Sequence, residues 1–311
     1  MSIIERAAEL LRSGPQGQQS RPATSEKGEM RRLDLIERAS ADLAEGTYRP
    51  TTDGVPPLEP GRTNAPGRSS GKAARQFKVD RNRLRELSLI TPDGERTPLA
   101  ESFRRIKRQI LANVAKPKPG APPANLVLVT SALPGEGKTF CAINLAISMA
   151  LERDRTVLLV DADVAKPSVP RALGLHAEGG LMEVLLDRQV DLGNVLWKTD
   201  IGELTVLPAG KAHQHATELL ASDAMRGLLR DMAQRYHDRI VVFDSPPLLA
   251  ASEAGALASQ VGQIVVVVEA GKTSEAALKH ALGRIDTSRV TGLLLNKAEV
   301  TPLEYTYDAY G

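Results

Sequence analysis

Apolar runs alternate with amphipathic segments along the second part of this chain. Six runs rich in Val, Leu and Ile predict strands: NLVLVT (125–130), TVLLVDAD (156–163), ELTVLPA (203–209), RIVVFDSPP (239–247), QIVVVVEA (263–270) and VTGLLLNKA (290–298). Most of them lack an alternation of apolar and polar residues, which is typical of parallel strands that helices cover on both faces.

Helical patterns lie between these runs and before the first of them. Apolar spacings of three and four predict an amphipathic helix with a basic face over 98–114, and further helices are predicted at 140–154, 216–236 and 273–286. The repetition of strand and helix predicts a doubly wound α/β domain with a mostly parallel sheet, which we place at residues 85–300.

The residues before and after this domain have a different composition. Residues 1–84 are rich in Gly, Pro, Ser, Gln and charge, so we expect them to be largely disordered, with short amphipathic segments at 3–11 and 35–43. Residues 301–311 are expected to form a flexible tail. Three of the five tyrosines in the chain lie in that tail: Tyr305, Tyr307 and Tyr310.

Charge and composition limit the kinds of partner. The net charge of +2 is close to neutral for 311 residues, so nucleic acid is not an expected partner. There is one cysteine, no signal-peptide pattern, and no apolar run near the roughly 20 residues that a membrane span requires. These features predict a cytoplasmic protein without a membrane span.

The first predicted strand leads into SALPGEGKTF, which is the pattern of a phosphate-binding loop followed by a helix. Such a loop directs backbone amides at phosphate, while Lys138 neutralises terminal phosphates and Thr139 offers a hydroxyl to magnesium. Ala132 stands where the usual pattern has its first glycine. The residues that we expect at the nucleotide are Pro134, Gly135, Glu136, Gly137, Lys138, Thr139 and Phe140.

Two further predicted strands end in carboxylates. Asp161 and Asp163 close one strand, and Asp244 closes another, at the sheet edge where α/β proteins bind ligands. A single aspartate there can equally be a helix cap or turn former. Beside a phosphate loop, the set of three predicts a magnesium site with one carboxylate free to accept a proton from an attacking hydroxyl.

The segments SALPGEGKT, LLVDAD and VVFDSPP resemble the Walker A, Walker A′ and Walker B elements of the bacterial tyrosine kinases, autokinases of polysaccharide export within the MinD/ParA-like class of P-loop ATPases. The resemblance covers about residues 85–311 and is closest to the stand-alone exosortase-associated form. It implies an ATP- and magnesium-dependent tyrosine autokinase that regulates exopolysaccharide synthesis or export. The alternative is a MinD- or ParA-like positioning ATPase, against which Leu133 stands at the place of the signature loop lysine.

The resemblance also implies roles for single residues. Asp161 would accept the tyrosine proton, and Asp163 and Asp244 would position magnesium together with Thr139. Asn296 would contact adenine, although an Asn after a strand is also an ordinary turn residue. The phosphate acceptors would be the three tail tyrosines.

By the same resemblance, Glu101, Arg104 and Lys107 would form a ring interface between subunits, with Lys107 replacing the family's second arginine. A solvated basic helix face is the alternative explanation of these charges. Ala165 stands where the family commonly has an arginine after Walker A′. A membrane-bound polysaccharide chain-length regulator is the implied activator in trans, which would bring the protein to the inner membrane.

Overall fold

The computed structural model describes residues 75–94, 97–116, 120–187, 189–234 and 239–298. The amphipathic segments expected at 3–11 and 35–43 and the three tail tyrosines lie outside these residues. None of the described helices combines the length and the apolarity that crossing a membrane requires.

One sheet organises the described residues. Its eight strands follow the order β1-β4-β5-β3-β6-β2-β7-β8, and every neighbouring pair is parallel except β4 and β5. The strands are β1 (Arg75–Phe77), β2 (Leu126–Ser131), β3 (Thr156–Asp161), β4 (Trp197–Thr199), β5 (Leu204–Leu207), β6 (Arg239–Asp244), β7 (Gln263–Glu269) and β8 (Val290–Asn296). All six strands that the sequence predicts are present, which confirms the doubly wound fold.

Helices connect the strands. They are α1 (Arg81–Glu86), α2 (Pro98–Val114), α3 (Lys138–Ala150), α4 (Val169–Leu173), α5 (Leu181–Leu186), α6 (Leu192–Val195), α7 (Ala216–Ala221), α8 (Asp223–Gln234), α9 (Ser252–Ala258) and α10 (Glu275–Leu282), with a 3-10 turn at Thr287–Arg289. The single helix predicted at 216–236 is two helices. Ser222 separates them with an extended ψ of 165°, and its hydroxyl accepts a hydrogen bond from Met225 N in the first turn of α8.

Apolar side chains fill both faces of the sheet. Along β2, Val127 and Val129 belong to one core cluster, and Leu126 and Leu128 belong to the cluster on the opposite face. This two-sided burial explains why the strand sequence lacks alternation. The carboxyl ends of the central strands, which carry the candidate site, are thus packed between the two clusters.

The domain begins earlier than the sequence suggests. Strand β1 and the beginning of helix α1 lie before residue 85, which we expected to be the start of the domain. The Phe77 ring meets the Trp197 ring edge-on at a centroid distance of 6.3 Å, and Leu84 is fully buried. The boundary at 85 was therefore too late. Strands β1 and β4 were missed because three residues are too few to establish a periodic pattern.

Candidate active site

The loop between β2 and α3 has the backbone geometry of a phosphate cradle. Gly135 and Gly137 have positive φ angles of 85° and 93°, a region that favours glycine. A Cβ atom added to Gly137 would lie 2.1 Å from Asn296 Nδ2, so a larger residue would have to displace the Asn296 side chain and adopt a strained backbone. Helix α3 begins directly after this loop, at Lys138.

The structure brings the three predicted carboxylates to the helix end of this loop. Asp161 and Asp244 are register partners at the ends of the adjacent strands β3 and β6. The Asp163 carboxylate lies 2.9 Å from Lys138 Nζ, and both of these side chains are largely buried. Lys138, Asp161, Asp163 and Asp244 therefore form one cluster, which we call the strand-end site.

Asp161 holds the segment that follows β3. Its Oδ2 atom accepts hydrogen bonds from Ser168 N at 2.9 Å and Val169 N at 3.0 Å, and its Oδ1 atom accepts a longer one from Asp163 N at 3.3 Å. Burial raises the pKa of Asp161 to about 6 in spite of these amide donors, which lower it. This carboxyl group therefore ionises close to neutral pH.

Asp244 is buried with little compensation for its charge. Neither carboxylate oxygen has a hydrogen-bond partner among the described residues, and the side chain is fully buried. Burial and then the charge of Asp161 raise its pKa to about 7, against the ammonium of Lys138 and the nearby hydroxyl of Thr139. An ionised group in this position is costly until a cation or a polar ligand meets it.

The residues at this site could supply part of the coordination of a magnesium ion, with water and phosphate oxygens as the other ligands. No group of three or more His, Cys, Asp and Glu side chains is arranged as a metal cluster within the described ranges. The Thr139 hydroxyl currently shares a hydrogen bond of 2.9 Å with the Ser168 hydroxyl. Magnesium is usually held by one or two carboxylates with water and substrate phosphates, and the unpartnered Asp244 oxygens suit that arrangement.

Asn296 lies against the phosphate loop, where its Nδ2 donates to the Glu136 carbonyl at 2.9 Å. A contact with adenine remains a prediction. Two further residues contact the loop without having been predicted from the sequence. Lys297 Nζ donates to the Gly135 carbonyl at 2.8 Å, and the Thr273 hydroxyl donates to the Glu136 carboxylate. No spacing rule identifies Thr273, whereas the position of Lys297 next to Asn296 could have drawn attention to it.

The three residues expected at a ring interface separate into two kinds. Glu101 and Arg104 form an ion pair of 2.7 Å with both side chains partly exposed on α2. Lys107 is buried instead, and its Nζ donates to the Ser148 carbonyl at 2.9 Å and pairs with Glu152 at 2.5 Å. The contacts of Lys107 therefore favour a structural role within the chain, at the C-terminal end of α3, over a place at the ring interface.

Comparisons with known proteins define first the class and then the family. A family model described as an AAA domain matches residues 126–296, the segment from β2 to the end of β8. This match and the loop geometry make the chain a P-loop nucleotide-binding protein of the AAA-domain family.

Individual relatives show to which family of P-loop proteins the chain is similar. The chain is 35% identical over 185 residues to the tyrosine-protein kinase YwqD of Bacillus subtilis (strain 168), covering 58% of this chain and 76% of YwqD. It is 34% identical over 233 residues to the succinoglycan biosynthesis transport protein ExoP of Rhizobium meliloti (strain 1021), covering 71% of this chain but 28% of ExoP. The crystal structure of the chimerical protein CapA2B2 superposes with a TM-score of 0.61 at 26% identity, covering 74% of this chain and 95% of that one.

The chain belongs to the bacterial tyrosine kinase family. It is a tyrosine-protein kinase by this relationship, as the resemblance of its three Walker elements predicted. The strand-end site is thereby the candidate site of phosphoryl transfer.

Proposed function

We propose that this kinase uses ATP and magnesium to phosphorylate its own C-terminal tyrosines and thereby regulates exopolysaccharide synthesis or export. The observation that supports this most is the strand-end site itself. A cation and three carboxylates converge beside a glycine loop, and Asp244 is buried with no hydrogen-bond partner among the described residues. Such an arrangement lowers the stability of the protein. Binding of a charged ligand at this site would explain why the protein keeps it.

Binding would redistribute the charges of the site. Lys138 now pairs with Asp163, and phosphate oxygens would compete for its ammonium. Asp163 would then be free to join Thr139 and Asp244 around magnesium, which would neutralise charge on the phosphates when bound. The loop amides and Lys138 would stabilise the charge that develops on the transferred phosphoryl group.

Asp161 would act on the incoming tyrosine. The phenol oxygen attacks the γ-phosphorus, the bond from that phosphorus to the β,γ-bridging oxygen breaks, ADP leaves, and the phenol proton passes to a carboxylate. A carboxyl group with a pKa of about 6 is mostly ionised at pH 7.5 and is still a better proton acceptor than an ordinary aspartate. The amides of Ser168 and Val169 would hold Asp161 in place during this step.

Mass spectrometry of the tail tests this proposal. After incubation of the purified protein with ATP and magnesium, we expect phosphate on one or more of Tyr305, Tyr307 and Tyr310. Free phosphate released without a modified tyrosine would instead support the positioning ATPase. The kinase has Leu133 exposed at the mouth of the loop, where it offers no cation to a partner subunit.

We further propose that tails are phosphorylated between subunits of a ring, with Glu101 and Arg104 at the interface. Tethered acceptors reach effective concentrations on the order of millimolar, so weak tail binding would suffice. Phosphorylation adds up to about two negative charges to each tyrosine, which would favour disassembly. Sedimentation of the phosphorylated and unphosphorylated proteins tests this, since equal assembly of both forms would contradict it.

A membrane-bound polysaccharide chain-length regulator is the partner that we propose as the activator at the inner membrane. The name of ExoP, a biosynthesis transport protein, supports a link to polysaccharide export. Co-purification of the kinase with such a regulator, with and without residues 1–74 of the kinase, would test the link. Failure of the full-length kinase to co-purify would contradict it.

A further inference from the structure

The residues at the end of β8 contact the back of the phosphate loop. We propose that Lys297, together with Asn296, is a positioning residue that aims the loop amides at the nucleotide phosphates. This inference deepens the proposed function and rests on its nucleotide-binding step.

Two consecutive residues hold two consecutive carbonyl groups. Lys297 Nζ donates to the Gly135 carbonyl at 2.8 Å, and Asn296 Nδ2 donates to the Glu136 carbonyl at 2.9 Å. These contacts join positions more than 150 residues apart in sequence. The end of β8 therefore acts on the two peptide units at the centre of the loop.

Peptide geometry turns these contacts into a constraint on the amides. Every peptide bond of the described residues is trans, so the carbonyl of one residue and the N–H of the next point in opposite directions. A Gly135 carbonyl held towards Lys297 directs the N–H of Glu136 away from it. A Glu136 carbonyl held towards Asn296 does the same for the N–H of Gly137. The donors of the cradle are thus oriented before phosphate arrives.

Lys297 is itself held in an unusual position. Its φ is 57°, which is uncommon for a residue other than glycine, and its ammonium lies 3.2 Å from Glu269 Oε1. The Asn296 carbonyl accepts a hydrogen bond from Ala270 N at 2.9 Å, which anchors the preceding residue. A strained backbone conformation kept in place by an ion pair and a neighbouring strand is common at functional positions.

The carboxylate of Glu136 provides a second constraint on the loop. The buried Glu136 carboxylate accepts a hydrogen bond from Leu133 N at 2.7 Å and another from the Thr273 hydroxyl. The loop is therefore constrained through its carbonyls and through its one carboxylate. A preformed cradle loses less conformational entropy when it binds phosphate. Removal of one of these contacts should therefore lower the affinity for nucleotide.

Calorimetric titration of ADP into the Lys297→Met variant tests the inference. Because the ammonium is half-exposed, we expect a Kd for ADP that is about three to ten times higher. The thermal midpoint should stay unchanged, KM for ATP should rise more than kcat falls, and Lys297→Arg should restore part of the affinity.

Lys272 provides the matched control, since its ammonium pairs with the same Glu269 carboxylate at 3.4 Å. Lys272→Met should leave the Kd for ADP unchanged. Unchanged affinity in Lys297→Met, or an equal loss in Lys272→Met, would overturn the role of Lys297. If the unaltered protein fails to bind ADP at all, the proposed nucleotide-dependent function fails with it, so the two failures are distinguishable.

Discussion

Lys107 and Lys138 are two largely buried lysines whose surroundings differ in charge. Lys107 lies where α2 crosses the end of α3, and its ammonium binds the Ser148 carbonyl and the Glu152 carboxylate. Lys138 lies in the strand-end site, beside Asp163 and near two buried carboxylates. Lys107 thus has two partners at the contact between α2 and α3, whereas the Asp244 carboxylate has no hydrogen-bond partner among the described residues.

The contrast shows how to separate structural from functional charge. Ser148 is in the last turn of α3, where carbonyl groups lack helical partners and a cation is favourable. Lys107 satisfies such a carbonyl and so stabilises the fold. The strand-end site instead places three carboxylates around one ammonium, which is expected of a site that binds a cation.

The largest expected effect comes from removing the cation of the strand-end site. Lys138→Met should lower the rate of tail phosphorylation by about a thousandfold, because phosphoryl transfer depends on cations that stabilise the transferring group. The rate can be followed with labelled ATP. Lys198→Met is the control, since Lys198 forms an exposed ion pair with Glu203 at 3.2 Å. Comparable rates for both variants would show that the ammonium of Lys138 has no special role in the strand-end site.

The next effect is a pH dependence of stability that originates at Asp244. Its pKa rises from 3.8 to about 7 on folding, so between these values the folded protein keeps a proton that the unfolded chain releases. Stability of the nucleotide-free protein should therefore fall as pH rises from about 4 to about 7. The loss due to Asp244 is on the order of 4 kcal/mol, and Asp161, whose pKa rises to about 6, contributes a further loss in the same direction.

Asp244→Asn should remove the part of this loss that comes from Asp244, because it deletes the buried charge, while the part that comes from Asp161 should stay. The same variant should lose kinase activity. Urea denaturation at pH 5 and pH 8, with and without the substitution, measures the difference. An identical pH dependence in both proteins would show that Asp244 is not the origin.

The smallest expected effect concerns the contact between α2 and α3. Lys107→Met should reduce the free energy of unfolding by about 1–2 kcal/mol, because it leaves the Ser148 carbonyl and Glu152 without their cation. Denaturant midpoints measure this loss. Arg104→Ala, three residues earlier on α2, should leave stability nearly unchanged because its ion pair with Glu101 is partly exposed.

Assembly should respond in the opposite way to the same two variants. Arg104→Ala should weaken the proposed ring, and Lys107→Met should not, provided that the protein stays folded. Sedimentation velocity distinguishes them. Weakened assembly in Lys107→Met alone would instead support Lys107 as a residue of the ring interface.

Local patterns were enough to predict the fold and most of the candidate site. The valine- and leucine-rich runs carry their own burial signal, and carboxylates at the ends of parallel strands must meet at one sheet edge. Asp161 and Asp244 could therefore be placed together without coordinates. The break at Ser222 and the early start at β1 were not predictable in the same way, because each depends on one residue or a very short strand.

The sequence by itself determined the parallel sheet, the glycine loop and the strand ends that carry its acids, because these follow from composition and spacing within a few residues. Only the tertiary structure decided where the long side chains point. Lys107 turns inward to α3, and Lys297 reaches back to the Gly135 carbonyl. Each contact joins residues far apart in the chain, so its geometry depends on how the whole domain packs.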